Sequence, residues 1–183
     1  MSSSIPNIFS EIDFDYAQSY VRQVLEETKD IQGAYIEIRD TPELRMFHEK
    51  VWEVAKKRFL NEKIMPSWQN MIIHKKIFGL MPPAIHDSAC DYAVTIPLFQ
   101  HVPWDILIGA QEKEYSLCEN EGVFYRGNTE QTLRGPFQHP DTNIVVEAHF
   151  FFVEPDHWWF TPQEPEGFFG EEYLYKVIRA PKQ

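Results

Sequence analysis

The sequence predicts an α+β fold in which helices come first and an antiparallel β-sandwich or barrel forms the main body. Helical stretches lie within about residues 11–62, and short β-forming runs separated by turn signals follow over about 67–179. Aromatic residues make up 15% of the 183 residues, which suits a sheet-based core. The length fits a single domain that covers 1–183.

Both helices are predicted from apolar side chains that recur with helical spacing. The first covers Asp13 to Glu27, which contains no helix breaker. The second begins at Thr41-Pro42-Glu43, where threonine caps, proline suits the first turn and the acid lies near the positive end of the helix dipole. Its apolar stripe ends at Phe59, and the helix is expected to run to about Asn61 and to pack on a sheet.

Strands are predicted where apolar and polar residues alternate or where β-branched and aromatic residues are dense. The first lies between the helices, at 34–38. Further strands are expected at 68–78, 90–98, 104–108, 115–118, 123–126, 144–153 and 173–178. Asn120-Glu121-Gly122 is a tight turn between two of them, and the whole pattern favours an antiparallel sandwich or barrel.

Composition and charge narrow the range of functions. The net charge is −11 and the isoelectric point is near 5.0, so the surface repels phosphate backbones and nucleic-acid binding is not expected. The apolar run at 149–153 is too short to cross a membrane, and no signal peptide is expected. Cys90 and Cys118 are widely spaced, which predicts two buried, reduced thiols in a cytoplasmic protein. An antiparallel sheet with apolar edges is compatible with a homodimer.

Several segments over about 68–153 resemble, in order and spacing, one family of enzymes. In the first segment, Pro82-Pro83 leads into a run that ends at Cys90-Asp91-Tyr92-Ala93-Val94-Thr95. The later segments are Trp104-Asp105-Ile106, a turn at 121–127, a run at 130–134 and an apolar strand at 147–153. Together they resemble the small 2-oxoglutarate/Fe(II)-dependent oxygenases, whose Pro-Pro pair leads into a His-x-Asp pair of iron ligands. The resemblance implies a double-stranded β-helix, or jelly roll, with N-terminal flanking helices, and Fe(II) and 2-oxoglutarate as cofactors.

The positions that the resemblance assigns to the iron ligands have changed in this chain. The family uses two histidines and one carboxylate, which leave open positions for 2-oxoglutarate and oxygen. Here the first histidine position holds Ala84, the carboxylate position holds His86 and the distal histidine position holds Thr132. Arg134 matches an arginine of the family pattern. The metal triad is therefore degenerate, and the identity of any cofactor stays open.

A second alignment shifts the register by one residue. It places His86 at the histidine position and Ser88 at the carboxylate position, as in halogenases of the wider superfamily that bind halide beside a small residue. Strand alternation is expected to place His86, Ser88, Cys90 and Tyr92 on one face. If Cys90 and Tyr92 point as in the family, His86 faces the barrel interior.

Three residues are candidates for a relocated site. If Glu147 and His149 on the last core strand face the barrel interior, they could join His86 in a new two-histidine, one-carboxylate iron site. Without a metal, the same three residues could act as acid and base groups. The alternative is that Glu147 and His149 face solvent or a helix, with Ala148 and Phe150 inward.

Further candidates are Tyr92, Arg126 and Arg134 for substrate binding, and His139 as a ligand from a Pro/Gly loop. The resemblance thus implies an oxygenase-superfamily enzyme that acts on a small molecule and has a relocated or lost iron site. The alternative is a metal-free enzyme, or a non-catalytic binding or scaffold protein that keeps the jelly-roll pocket.

Overall fold

Two antiparallel β-sheets face each other, and two helices cover the outer side of the larger sheet. The computed structural model describes residues 2–33, 35–75, 81–84, 90–135, 143–157 and 175–178. Its helices are α1 (Glu11–Glu27) and α2 (Pro42–Phe59). Its strands, in chain order, are β1 (Ser3–Ile5), β2 (Tyr35–Arg39), β3 (Met65–His74), β4 (Met81–Ala84), β5 (Tyr92–Gln100), β6 (Ile106–Ile108), β7 (Lys113–Tyr115), β8 (Gly122–Tyr125), β9 (Thr132–Arg134), β10 (Val145–Val153) and β11 (Tyr175–Ile178).

The chain crosses repeatedly from one sheet to the other. The larger sheet has the order β1-β8-β5-β10-β3-β2-β11, and the smaller sheet has the order β4-β9-β6-β7. From β3 to β6, and again from β8 to β10, consecutive strands belong to opposite sheets. This alternation of antiparallel strands is a jelly roll, so the predicted α+β double-stranded β-helix is confirmed.

The larger sheet separates two environments, as its central strand β10 illustrates. Ala148 and Phe150 pack with the helices in the main hydrophobic core. Phe151 belongs instead to a second cluster, which fills the space between the sheets. Because side chains alternate along a strand, Glu147 and His149 share the face of Phe151 and point between the sheets.

The second helix begins as its sequence predicts. The Thr41 side chain accepts a hydrogen bond from the Leu44 N–H at 3.2 Å, and Pro42 occupies the first helical position. The helix ends at Phe59, slightly before the predicted end, because Leu60 adopts the left-handed conformation with φ of 53°. A left-handed residue is a common way to stop a helix.

Some predicted strand boundaries are wrong. β5 begins at Tyr92 and continues to Gln100, and the strand expected at 115–118 is replaced by β7, which ends at Tyr115. Cys118 therefore lies exposed outside the strands, not buried as expected. Its N–H donates to the Glu121 side chain at 3.1 Å, so the turn already begins at this residue.

The N-terminal part contributes more than helices. Strands β1 and β2 join the larger sheet, β1 beside β8 and β2 beside β3. Strands β1, β4 and β9 were not predicted, because three or four residues are too few to show a period. Within the described residues, neither helix combines the length and the apolar character that a membrane span requires.

The turn after β8 passes very close to the start of β5. The Gly127 N–H donates to the Asp91 carbonyl at 3.2 Å. A Cβ atom on Gly127 would lie 2.1 Å from the Cys90 sulfur and 3.0 Å from its carbonyl oxygen. This contact leaves no room for any side chain larger than that of glycine.

We expect Gly127→Ala to lower the free energy of unfolding by about 1–3 kcal/mol, because the added methyl group overpacks the contact with Cys90. Gly135→Ala is the matched control, since no neighbouring atom lies within 4 Å of the added group among the described residues. Urea denaturation of both variants measures the difference. Equal midpoints for the two variants would contradict the close approach.

Candidate functional site

A buried ion pair connects the two sheets. The Arg134 guanidinium on β9 donates to Glu147 Oε1 on β10 and to the Trp104 carbonyl oxygen. The other carboxylate oxygen of Glu147 lies 3.3 Å from His74 Nε2 on β3. The side chains of Arg134 and Glu147 are only 8% and 3% exposed. Both oxygens of the Glu147 carboxylate thus face cationic or N–H groups of the protein itself.

The electrostatics of this cluster favour a charged Glu147 and a neutral His74. Burial alone would raise the pKa of Glu147, but the Arg134 charge and the His74 side chain outweigh it and lower the pKa to about 2. Burial lowers the pKa of His74, although Glu147 opposes this shift. Trp104 completes the cluster, with the Arg134 guanidinium 4.8 Å from its ring centre.

A second polar chain runs across the middle of the interior. His149 Nδ1 lies 2.9 Å from the Thr95 hydroxyl, which in turn lies 3.2 Å from the Tyr125 hydroxyl. Burial raises the pKa of Tyr125, so its hydroxyl stays protonated. His149 is the one residue of β10 that remains partly exposed, although its Nε2 atom is buried.

The strand pairing locates the positions that correspond to the family histidines. Ala84 on β4 and Thr132 on β9 are direct partners across the antiparallel pairing. Two histidines at these positions would lie side by side, as a shared metal requires. The residues that stand there supply no imidazole, so these two positions do not fit iron.

The described part of the chain offers no other ligand set. It contains no group of three histidine, cysteine or acidic residues that could hold a metal ion. Glu147 and His149 both face the interior, so the alternative that placed Ala148 and Phe150 inward is wrong. His86, Ser88 and His139 lie outside the described residues, and their roles stay predictions.

The expectation that Cys90 and Tyr92 share one face is wrong. Cys90 belongs to the cluster between the sheets, whereas Tyr92 packs with the helix-side core. The alternation fails because Cys90 precedes the first residue of β5. The Tyr92 hydroxyl donates to Glu154 at 2.5 Å, and the exposed Arg126 stacks 4.3 Å above the Tyr92 ring. Of the three predicted substrate-binding residues, only Arg134 faces the interior.

Sequence reasoning missed several interior residues, above all on β3. Trp68, Asn70 and His74 occupy alternate-face positions on this strand and point away from the helices, opposite to Met71 and Ile73. A partial signal was present, because three side chains with polar groups share one parity, but Ser67 and Gln69 place polar groups on the other parity as well.

Comparison with known proteins places the fold among the oxygenases. No family profile and no curated protein sequence matches the chain. AviO1 from Streptomyces viridochromogenes Tue57 superimposes with a TM-score of 0.65 at 8% identity, over 90% of this chain and 92% of that one. The non-heme alpha-ketoglutarate-dependent epimerase SnoN from nogalamycin biosynthesis gives 0.61 at 9% identity, over 82% and 78%. A 2OG-Fe(II) oxygenase family oxidoreductase from Burkholderia pseudomallei gives 0.59 at 8% identity, over 83% and 84%.

The chain therefore has the fold of the 2-oxoglutarate/Fe(II)-dependent oxygenases, as the resemblance of its motifs predicted. At these identities the likeness establishes the fold, and the site must be argued from the residues of this chain.

Glu147 should make stability depend on pH in acid. Its pKa falls from 4.5 to about 2 on folding, so its contribution is complete above pH 4.5 and is lost as the pH falls through about 2. We expect the free energy of unfolding of the natural chain to decline across this window, with a shallower decline in Glu147→Gln. Denaturant unfolding at a series of pH values measures both slopes.

Asp13→Asn is the control for that experiment. Asp13 is a surface carboxylate whose pKa is lowered by Lys50 and Ser10, and its loss should leave most of the acid dependence in place. Parallel curves for the natural chain and Glu147→Gln would show that the buried pair does not carry the effect.

Proposed function

We propose that this protein is a small-molecule enzyme with an oxygenase-like jelly roll that has lost the inherited iron site. The observation that carries the proposal is the pairing of Ala84 with Thr132, which brings together two positions that both lack a histidine. The fold supports a ligand site between the sheets, which is where a jelly roll of this size holds a small molecule.

A relocated iron site at Glu147 is the less favoured variant of this proposal. A metal at this carboxylate would have to displace Arg134 or His74, because both oxygens already face these groups. Displacement would leave the Arg134 guanidinium buried without its counter-charge, and breaking such a pair costs about 3–5 kcal/mol. The ion pair therefore protects Glu147 from coordination.

The ion pair between Arg134 and Glu147 also argues against the binding of 2-oxoglutarate at Arg134. This arginine matches the family pattern, but it is already bound to a carboxylate of its own chain and to the Trp104 carbonyl. A dicarboxylate would compete with an ion pair that is buried and pre-formed.

His149 is the residue best placed for acid–base chemistry in this interior. The Thr95 hydroxyl can donate to His149 Nδ1 while it accepts from Tyr125, or accept from Nδ1–H while it donates to Tyr125. Reversing the direction of these two hydrogen bonds changes which ring nitrogen of His149 carries the proton. His149 could thus present a ligand with either an acid or a base, with Thr95 and Tyr125 as positioning residues. His86 remains a proposed partner.

The iron proposal is tested by metal content and by reconstruction of the triad. The natural protein, titrated anaerobically with Fe(II), should retain no stoichiometric iron and should show no heat of 2-oxoglutarate binding by calorimetry. The triple variant Ala84→His/His86→Asp/Thr132→His should gain iron, because the first and third positions are paired neighbours. Elemental analysis after gel filtration gives the iron content of each protein.

One equivalent of iron in the natural protein, lost in His86→Ala or Glu147→Gln, would establish the relocated site and overturn the proposal. Iron in neither protein would contradict the alignment of Ala84 and Thr132 with the ligand positions.

The proton chain makes a separate prediction. Thr95→Val removes the hydroxyl with little change in shape, so the two tautomers of His149 should redistribute. Thr95→Ser keeps the hydroxyl and should preserve the natural distribution. Ring ¹⁵N chemical shifts of His149 report the tautomer directly, and identical shifts in the three proteins would remove Thr95 from the mechanism.

A further inference from the structure

The inner face of β3 carries polar atoms that the protein itself does not satisfy. Asn70 and His74 are 5% and 3% exposed. Among the described residues, no hydrogen-bond partner exists for Trp68 Nε1, Asn70 Oδ1 or His74 Nδ1. A buried polar atom without a partner costs about 1–3 kcal/mol, and native proteins contain few of them. Three such atoms on one face of one strand indicate that this face binds a molecule other than the chain itself.

The orientation of these groups is fixed by their other contacts. Asn70 Nδ2 donates to Glu37 at 2.6 Å, which leaves its carbonyl oxygen as the atom without a partner. The Trp68 ring stacks on Phe151 with centroids 4.1 Å apart, and the Arg39 guanidinium lies 5.6 Å from the ring centre. Trp68 therefore offers its N–H edge, and Asn70 offers an acceptor.

The face of β3 that carries these three residues lies next to His149, the proposed acid–base residue. Asn70 is the direct partner of His149 across the pairing of β3 with β10. Directly opposed residues in an antiparallel pair have Cβ atoms about 4.5–5.5 Å apart. A ligand hydrogen-bonded to Asn70 would thus lie against His149.

The charges around this face of β3 cancel. Arg39 binds the Glu37 carboxylate through two hydrogen bonds of 2.8 and 3.0 Å, and Arg134 neutralises Glu147. His74 is neutral, since burial lowers its pKa. A net charge on a ligand would have no counter-charge in this surface, and an unpaired charge is strongly disfavoured in a buried site.

We propose that Trp68, Asn70 and His74 form the ligand-binding strip of this enzyme, and that its ligand is an uncharged molecule with several hydroxyl groups, such as a short neutral saccharide. The inference rests on the proposed function for the location of the site. A hydroxyl group both accepts, as the Trp68 N–H requires, and donates, as the Asn70 carbonyl requires. Trp68 and Asn70 lie about 7 Å apart along the strand, so successive hydroxyls of one molecule can reach both.

The first test needs no ligand. Trp68→Phe removes an N–H that has no partner among the described residues, so the urea midpoint should stay the same or rise. Trp52→Phe is the matched control, because Trp52 Nε1 donates to the Ile64 carbonyl at 2.6 Å and its loss should lower the midpoint. A fall in Trp68→Phe as large as that in Trp52→Phe would show that the Trp68 N–H is satisfied, and the strip would be refuted.

The second test measures charge selectivity. Maltotriose is titrated against trigalacturonic acid, and the indole ¹H–¹⁵N resonance of Trp68 is followed by NMR. Maltotriose should shift this resonance and trigalacturonic acid should not. Trp68→Phe should bind maltotriose roughly two- to tenfold more weakly, as one lost hydrogen bond predicts, while Trp52→Phe should bind it normally.

Binding of the acid but not of the neutral sugar, or no response of Trp68 to either, would overturn the proposal. Neither outcome depends on iron, so this test can fail while the proposed loss of the iron site stands, and the reverse also holds.

Discussion

The ion pair between Arg134 and Glu147 is the interaction on which the interior depends. It joins the smaller sheet to the larger one, at a point where both side chains are almost fully removed from water. A buried pair of this kind adds little net stability, because desolvation offsets the attraction. The pair instead restricts the structure, since neither side chain can move away without leaving the other as a buried, unpaired charge. The two sheets must therefore keep the separation and register in which the pair forms.

That restriction also determines what chemistry the interior can support. In a metal enzyme with this fold, carboxylate and imidazole groups must be free to coordinate. Here the interior carboxylate is committed to an arginine, and the paired positions on β4 and β9 carry alanine and threonine. Among the described residues, the interior also holds hydrogen-bonding groups around His149, which is partly exposed. This lining is the basis of the proposal that the interior supports proton transfer on a neutral molecule.

The sequence predicted much of the fold, because the signals are local. The capped start of α2 and the long apolar run of β10 each depend on neighbouring residues in the chain. The ordered motifs then identified the jelly roll. Short strands such as β9 escaped prediction because three residues are too few to show a period.

The site was predictable only in part. Both faces of β10 carry bulky apolar residues, so alternation could not decide whether Glu147 pointed inward. The partner that decides it, Arg134, is positioned by the packing of the two sheets. The prediction that Tyr92 shares a face with Cys90 was wrong for a related reason, since Cys90 lies before the regular strand begins. Three-dimensional pairing of Asn70 with His149 likewise leaves no trace in the sequence.

The contact between Gly127 and Cys90 gives the protein two thiols of very different reactivity. Cys118 is exposed and open to alkylating reagents, whereas Cys90 is fully buried against the turn after β8. A buried thiol reacts only when the surrounding structure opens. The slow phase of a thiol-labelling reaction would therefore time the local opening of this junction, through a buried thiol that the chain already carries.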